Sequence, residues 1–507
     1  MIRDLSNEAA PADMAVDVLV IGSGPAGATA ARVLAEKGRE VVVLEEGGDR
    51  TGDTVPSKGL TQRDAEMYDQ LYMDRGGRTT TDLSVAVLQG RALGGGGIIN
   101  ASDVVPLHDE VLAHWRQHHG LTPFTAEALT PFRQAALDDL HSNRIQDEQL
   151  NQANKLLKLG AEKLGLKGEV MMHNRVGCAG LGTCLIGCPL GAKKNPRWVS
   201  IPKAVAAGAS FLCRARAVRI DDAGAEIKRV HVRTLDALGY AERASFVIRA
   251  RTVILAANAV GSAHLAVRSG IGNEHVGRHL SLQPQLPVVA RFREDVVAYR
   301  GIPQAYAITE HETVDAERGV WGFRIEAIMG TPGIVASLLP GAGNDPKAAM
   351  LDYNRVAASL VLVPDSPSGT VRSSAHGKVL IDYAHADDHK ARLRAGARVA
   401  ARAYLAAGAA EVQIPLHRPI VIRSERDLAA LDAIPFDPCT APLLSAHQQG
   451  GMRAAANAND GACAPDGAVY GTRGVYCFDS GIFPSSSSSH TQAPIITVAR
   501  WLATQLA

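Results

Sequence analysis

Gly22-Ser23-Gly24-Pro25-Ala26-Gly27 is a G-x-G-x-x-G turn, and Glu45 stands 23 residues after its first glycine. Those residue types at that spacing suit a dinucleotide. Gly22 permits the tight turn, Gly24 lets backbone approach a pyrophosphate, and Gly27 lets a helix lie close on a strand. The N–H groups and partial positive charge of a helix N-terminus then face the phosphates, and the Glu45 carboxylate takes the ribose hydroxyls. A second segment, Gly90-Arg91-Ala92-Leu93-Gly94-Gly95-Gly96-Gly97-Ile98-Ile99-Asn100, is too glycine-dense for a strand. Its use is a backbone lying flat on a planar or phosphorylated ligand; the bland alternative is a flexible hinge. Cys178, Cys184 and Cys188 form C-x5-C-x3-C-P within a glycine-rich run. Three soft ligands this close suit an iron–sulfur cluster, whereas a buried loop with inert thiols needs none. A ferredoxin-like run would have a further Cys at Leu181, and no His sits at zinc-ligand spacing. We expect no cluster and no metal.

These residues need elements to hold them. Val16 to Ile21 is an apolar, β-branched strand, Ala28 to Lys37 a helix closed by Gly38, and Val41 to Leu44 a second strand ending in Glu45. Together they make a βαβ unit, whose fold class is α/β and Rossmann-like. Residues 49–90 read as loops and short helices, and 124–165 as helical. Strands are expected over Phe211 to Ile220, Phe246 to Leu255, Ala358 to Val363 and Lys378 to Tyr383. Helices follow near 387–407 and over Ile495 to Leu506. Ser485 to Ser489, five serines in a row, reads in isolation as a flexible linker.

Composition narrows the class. The chain has 507 residues, 46% hydrophobic and 21% charged, ordinary values for a large soluble core. Lys and Arg number 53 against 52 Asp and Glu, so bulk charge favours neither nucleic acid nor a membrane surface. No apolar run is long enough to span a bilayer. Seven cysteines without an apolar leader after Met1 point to free thiols in a reducing cytoplasm.

The chain resembles the glucose–methanol–choline (GMC) flavin oxidoreductases. The resemblance lies in Gly22 to Gly27 with Leu44-Glu45-Glu46-Gly47-Gly48, in Leu93 to Asn100, and in Val253 to Ser262. It continues through Ser269 to Gly272, Val276 to Leu280 and Ser445 to Gly450, and ends in Asp479 to Pro484 and His490 to Pro494. It implies a discontinuous FAD-binding domain, 14–285 plus 440–507, and an α+β substrate domain, 286–439. It implies FAD contacts from the Gly22–Gly27 turn, Glu45, Arg91, Gly94, Gly95, Asn100, Val218, Asp479 and Thr491. It also implies oxidation of a small-molecule alcohol, with oxygen or another electron acceptor.

Any one of the 17 histidines is by default a core or surface residue; the matched context singles out His447 and His490. Hydride leaves an alcohol carbon only as the hydroxyl loses its proton, and an imidazole with a pKa near 7 suits that step. The resemblance implies that His447 takes the proton while His490 hydrogen-bonds the same oxygen, with a rate rising with pH through a pKa near 7. It also makes the serine run part of the active-site loop. Where some relatives attach flavin covalently to a His, this chain has Ile99, so FAD is expected to be non-covalent. Asn258 stands where relatives usually have Gly, and Gly97 where Ser is common. The cysteine spacing resembles the three-iron site of some membrane-associated bacterial glucose dehydrogenases, although relatives with similar loops work without a cluster. Phe323, Arg324 and Glu326 lie on an expected strand and have no assigned role. Four alternatives stay open: an NAD-dependent dehydrogenase, a non-redox lyase cleaving a cyanohydrin with the same His pair, a non-catalytic flavin-binding module that needs neither His, and a dehydrogenase passing electrons through a cysteine-bound cluster to a partner subunit.

Overall fold

The computed structural model describes every residue except 316, 318, 340–343 and 488. Met14–Ile21, whose inner half is fully apolar, lies at the centre of an eight-stranded sheet. It pairs in parallel with Val41–Glu45 on one side and with Glu242–Leu255 on the other. Ser210–Cys213 and Ile2–Asp4 extend the parallel edge. On the far side Glu242–Leu255 turns back into an antiparallel meander with Lys228–Leu235 and Ala215–Asp221. Val475–Cys477 adds in parallel at Val253 to Leu255, bringing the C-terminal segment into this sheet. The helix Pro25–Glu36 runs straight out of the glycine turn, with Pro25 in its first turn and Gly38, at φ +83°, ending it. It packs against the final helix, Gln492–Leu506, which is apolar on its inner face.

The second sheet has nine strands and is mainly antiparallel. Its centre is Gln285–Arg291, Val356–Leu362 and Arg324–Ile328. The helix Asp387–Ala406 packs behind these strands. Gln152–Lys163 lies on that helix, so closely that a Cβ on Gly160 would stand 2.0 Å from the Ala403 carbonyl oxygen.

The second sheet is not confined to 286–439. Gly168–Val170 pairs with Tyr306–Ile308, and Leu443–Ser445 joins Val85–Val87 to the strand beginning at Gln285. These edge strands are three residues long, too short to show a period of two in the sequence. The stretch 124–165 is two helices, Ala126–Asp139 and Gln152–Lys163, separated by a loop with a short strand and a 3₁₀ turn.

Candidate active site

The two glycine-rich segments meet backbone to backbone. A Cβ on Gly95 would lie 2.6 Å from the Gly24 Cα, and one on Gly47 2.4 Å from the Arg91 carbonyl carbon. Ser23 ties the segments together, its hydroxyl accepting the Gly94 N–H at 3.0 Å and donating to Glu45 at 2.6 Å. Gly22, at φ +106°, has no room for a Cβ beneath the Ala256 carbonyl. Gly27 would place one 1.9 Å from the Gly22 carbonyl oxygen, so it serves the close approach of helix to strand.

Beside these turns lies a cavity of about 1300 Å³ between the two sheets. Of the expected cofactor residues, Gly22, Ser23, Gly24, Pro25, Ala26, Glu45, Arg91, Gly95, Asn100, Val218, Asp479 and Thr491 line it; Gly27 and Gly94 lie just behind. The buried Glu45 carboxylate also accepts the Ser23 and Gly47 N–H groups, at 3.1 and 2.7 Å. Burial raises its pKa, and these donors only partly offset that. Arg91 spends its guanidinium on the Leu238 and Gly239 carbonyls. Asp479 accepts from Ser262 at 2.5 Å and from the Gly481 N–H at 2.7 Å, and burial lifts its pKa to about 6. Asn258 has φ +72°, a left-handed conformation that Asn tolerates better than most side chains, which explains how it replaces Gly there.

An adenine dinucleotide of flavin fits these walls. The helix N-terminus carries no side-chain cap, so its N–H groups face the cavity. Asn100 Oδ1 and Gln492 Nε2, both on cavity residues, are buried without a partner in the protein, as expected of atoms awaiting a polar ligand.

The far end holds the histidines. His447 and His490 both line the cavity, with ring centroids 4.8 Å apart at 76°. His447 follows the strand Leu443–Ser445, and its Nδ1 lies 2.6 Å from Gln283 Oε1 and 3.2 Å from Gln285 Nε2. An amide oxygen only accepts, so the shorter contact, to Gln283, puts the proton on Nδ1 and leaves Nε2 as the base; the Gln285 amide nitrogen, itself a donor, then makes no hydrogen bond to that Nδ1. Burial, reinforced by the neighbouring His490, lowers the His447 pKa to about 3. That overturns the expected value near 7. His490 differs. Burial alone would lower its pKa, but Glu326, with Asp103 behind it, raises it above the ordinary imidazole value. Its Nε2 is 2.8 and 3.0 Å from the two Glu326 oxygens. Glu326, Arg324, Gln283, Gln285 and Asp103 had no assigned role in the sequence; two charges, Arg324 and Glu326, on one face of an otherwise apolar strand were the available signal.

Four of the five serines of the run are packed inside the protein. Ser485, Ser486, Ser487 and Ser489 are buried, Trp115 donates to Ser485 Oγ at 2.9 Å, and Gln449 accepts the Ser487 N–H at 2.8 Å. Ser488 lies outside the described residues.

The cysteine loop buttresses the second glycine segment. Lys193, which burial lowers to about 8, donates to the carbonyls of Ile98, Asn100 and Cys184. Arg175 Nη1 lies 3.0 Å from Cys184 Sγ and 3.9 Å from Cys178 Sγ. Among the described residues, the one group with three potential ligand atoms within 4.8 Å of one another is Asp103, Glu326 and His490, not the three cysteines.

Known proteins resemble this chain in sequence and fold. Two models described as GMC oxidoreductase match residues 68–285 and 364–499, and one described as FAD binding domain matches 17–65. An uncharacterized GMC-type oxidoreductase of Mycobacterium tuberculosis is 31% identical across 98% of this chain and 76% of its own length. A long-chain-alcohol oxidase of Arabidopsis thaliana is 26% identical, covering 95% of this chain and 66% of the relative. Among solved structures, pyridoxine 4-oxidase from Mesorbium loti superposes with a TM-score of 0.72 at 17% identity, covering 97% of this chain and 99% of the other. A formate oxidase gives 0.69 at 16% identity, over 97% and 98%. No helix among the described residues is long and apolar enough to cross a membrane. The glycine turns, the cavity they border and the histidine pair at its end, matched over nearly the whole chain, make this protein an FAD-dependent oxidoreductase of the GMC family.

Proposed function

We propose that the protein oxidises the CH–OH group of an alcohol with an apolar chain to the carbonyl, using non-covalent FAD. The observation that carries this reading is the unequal pair of imidazoles facing one another at the cavity end, His447 with a free Nε2 and His490 held by a carboxylate. FAD, when bound, accepts the hydride. The chain's residues handle the proton. His447 takes the hydroxyl proton at Nε2, its Nδ1–H oriented by Gln283, while His490 hydrogen-bonds the alcohol oxygen. Ile99 offers no nucleophile for a covalent flavin link. The substrate wall comes largely from the second sheet and the helix after it, and includes Ile328, Met329, Ile334, Val335, Leu360 and Leu362. Such a wall suits hydrocarbon, in line with the relatives named long-chain-alcohol oxidases. We assign the FAD-binding unit to 14–285 and 440–507, the substrate unit to 286–439, and the electrons finally to oxygen.

The experiment is a panel of primary alcohols of increasing chain length, with oxygen and with an artificial dye, followed by flavin absorbance. Bleaching by alcohols and recovery with oxygen support the reading. A flavin that no alcohol bleaches would sink it and favour the non-redox lyase.

A further inference from the structure

We propose that Arg214, flanked by Arg50 and Arg91, forms a binding site for a small oxyanion, a phosphate or a carboxylate, behind the turns that border the flavin cavity. Arg214 joins the strands Ser210–Cys213 and Ala215–Asp221 at φ +59° and is only 3% exposed. A guanidinium has five N–H donors and no acceptor. Nε and Nη1 of Arg214 are buried without a partner in the protein, and among the described residues its side chain makes no ion pair. Burying a cation in that state is costly unless an anion meets it.

Its neighbours add to the positive charge. Arg91 is as deeply buried, gives Nη1 and Nη2 to the Gly239 and Leu238 carbonyls at 3.0 Å, and leaves Nε unpartnered. Arg50 reaches the Ala237 carbonyl with Nη2 at 3.4 Å and also leaves a buried Nε unpartnered. Those carbonyls are neutral and cancel no charge. Burial lowers the pKa of Arg214, and Arg50 and Arg91 lower it further. The acids within electrostatic reach of the cluster are Asp4, Glu66 and Asp236. Each is engaged elsewhere. Asp236 accepts the Tyr240 and Ala241 N–H groups at 2.7 and 3.2 Å, exposed Asp4 accepts the Ser6 N–H at 2.9 Å, and Glu66 accepts from Thr61 at 3.0 Å.

Glycine shapes the slot around the guanidinium. A Cβ on Gly48 would stand 2.7 Å from Arg214 Nη2. One on Gly239 would stand 2.5 Å from Arg214 Nη1 and 3.3 Å from Arg91 Nη1. The planar fork matches two oxygens of one phosphate or carboxylate. Arg50 and Arg214 are not part of the cavity wall, so the site is separate from that of the flavin. It nevertheless touches both flavin segments. The Arg214 N–H donates to the Gly47 carbonyl at 3.1 Å, and Arg91 belongs to the second glycine-rich segment. An anion shared by Arg91 and Arg214 draws the turn after Glu45 and that segment together, and so slows the loss of FAD.

The test uses the intact holoenzyme, dialysed into a chloride buffer. Melting and FAD release, read as flavin fluorescence, are followed while phosphate, acetate or chloride is added at matched ionic strength. Phosphate or acetate should raise the wild-type melting temperature saturably above the chloride control and slow FAD release by at least about threefold. Arg214→Met should lose both responses; if it does not fold, Arg214→Gln takes its place. An oxyanion response that the variant retains overturns the proposal. If phosphate and acetate do no more than chloride, ion chromatography of the acid extract decides. A free oxyanion released from the wild type in proportion to FAD, and absent from the variant, upholds the site as already filled. An extract without one overturns it.

Discussion

The two imidazoles at the cavity end differ because their neighbours differ. His447 sees amides and burial, so it is neutral far below pH 7. His490 sees a buried carboxylate and stays protonated to a pH above the ordinary imidazole value. The sign of the pH dependence follows. Neutral His447 accepts the proton from neutral pH down to about pH 4, so the rate of flavin reduction should be flat across that range rather than rising through 7. At alkaline pH the rate should fall as His490 loses its proton. A pH series of anaerobic flavin reduction checks both limbs, and a rate climbing tenfold between pH 6 and 8 would refute this division. The sequence made the two histidines legible through their flanking motifs. It placed Glu326 beside Arg324 on one strand but did not show its contact with His490, which lies 164 residues away and is brought to it by the fold. The pKa of His447 was equally hidden, because burial is a property of the packed site.

Among the elements, the glycine turns were the most legible part of the chain, since their residue types answer to backbone geometry alone. Gly95 combines φ +56° with a Cβ position 2.6 Å from Gly24 Cα. Gly95→Ala should therefore force the two loops apart, costing about 1–3 kcal/mol by overpacking and lowering flavin occupancy. Thermal melting and the bound-flavin absorbance measure the two effects. Glu45→Ala should likewise lose flavin, because it removes the ribose acceptor and also strands the Ser23 hydroxyl and two backbone N–H groups. An unsatisfied buried donor costs about 1–3 kcal/mol, so the variant should melt earlier; unchanged melting and occupancy would mean that neither role holds. The short edge strands of the second sheet were not legible. They are fixed by their neighbours across the sheet, as Leu444 is by Gln285 and Ala86. The serine run was misleading by composition, because Trp115 and Gln449, 370 and 38 residues away, hold Ser485 and Ser487 in the packed interior.

For the whole molecule, two sheets close one cavity, one supplying the cofactor turns and the other the apolar wall. Acid or heat should release FAD into the supernatant, since Ile99 provides no covalent link; flavin remaining in the pellet would contradict this. Each methylene buried against Ile328, Met329 and Leu360 is worth about 0.8 kcal/mol, so kcat/KM should rise by up to about fourfold per carbon until the chain outgrows the cavity. The most direct test of the account is anaerobic stopped-flow reduction of the bound flavin by a saturating alcohol, wild type against His447→Ala. The account predicts a variant with an unchanged oxidised-flavin spectrum that is reduced at least about 10²-fold more slowly. A variant that bleaches at the wild-type rate would show that the proton goes elsewhere.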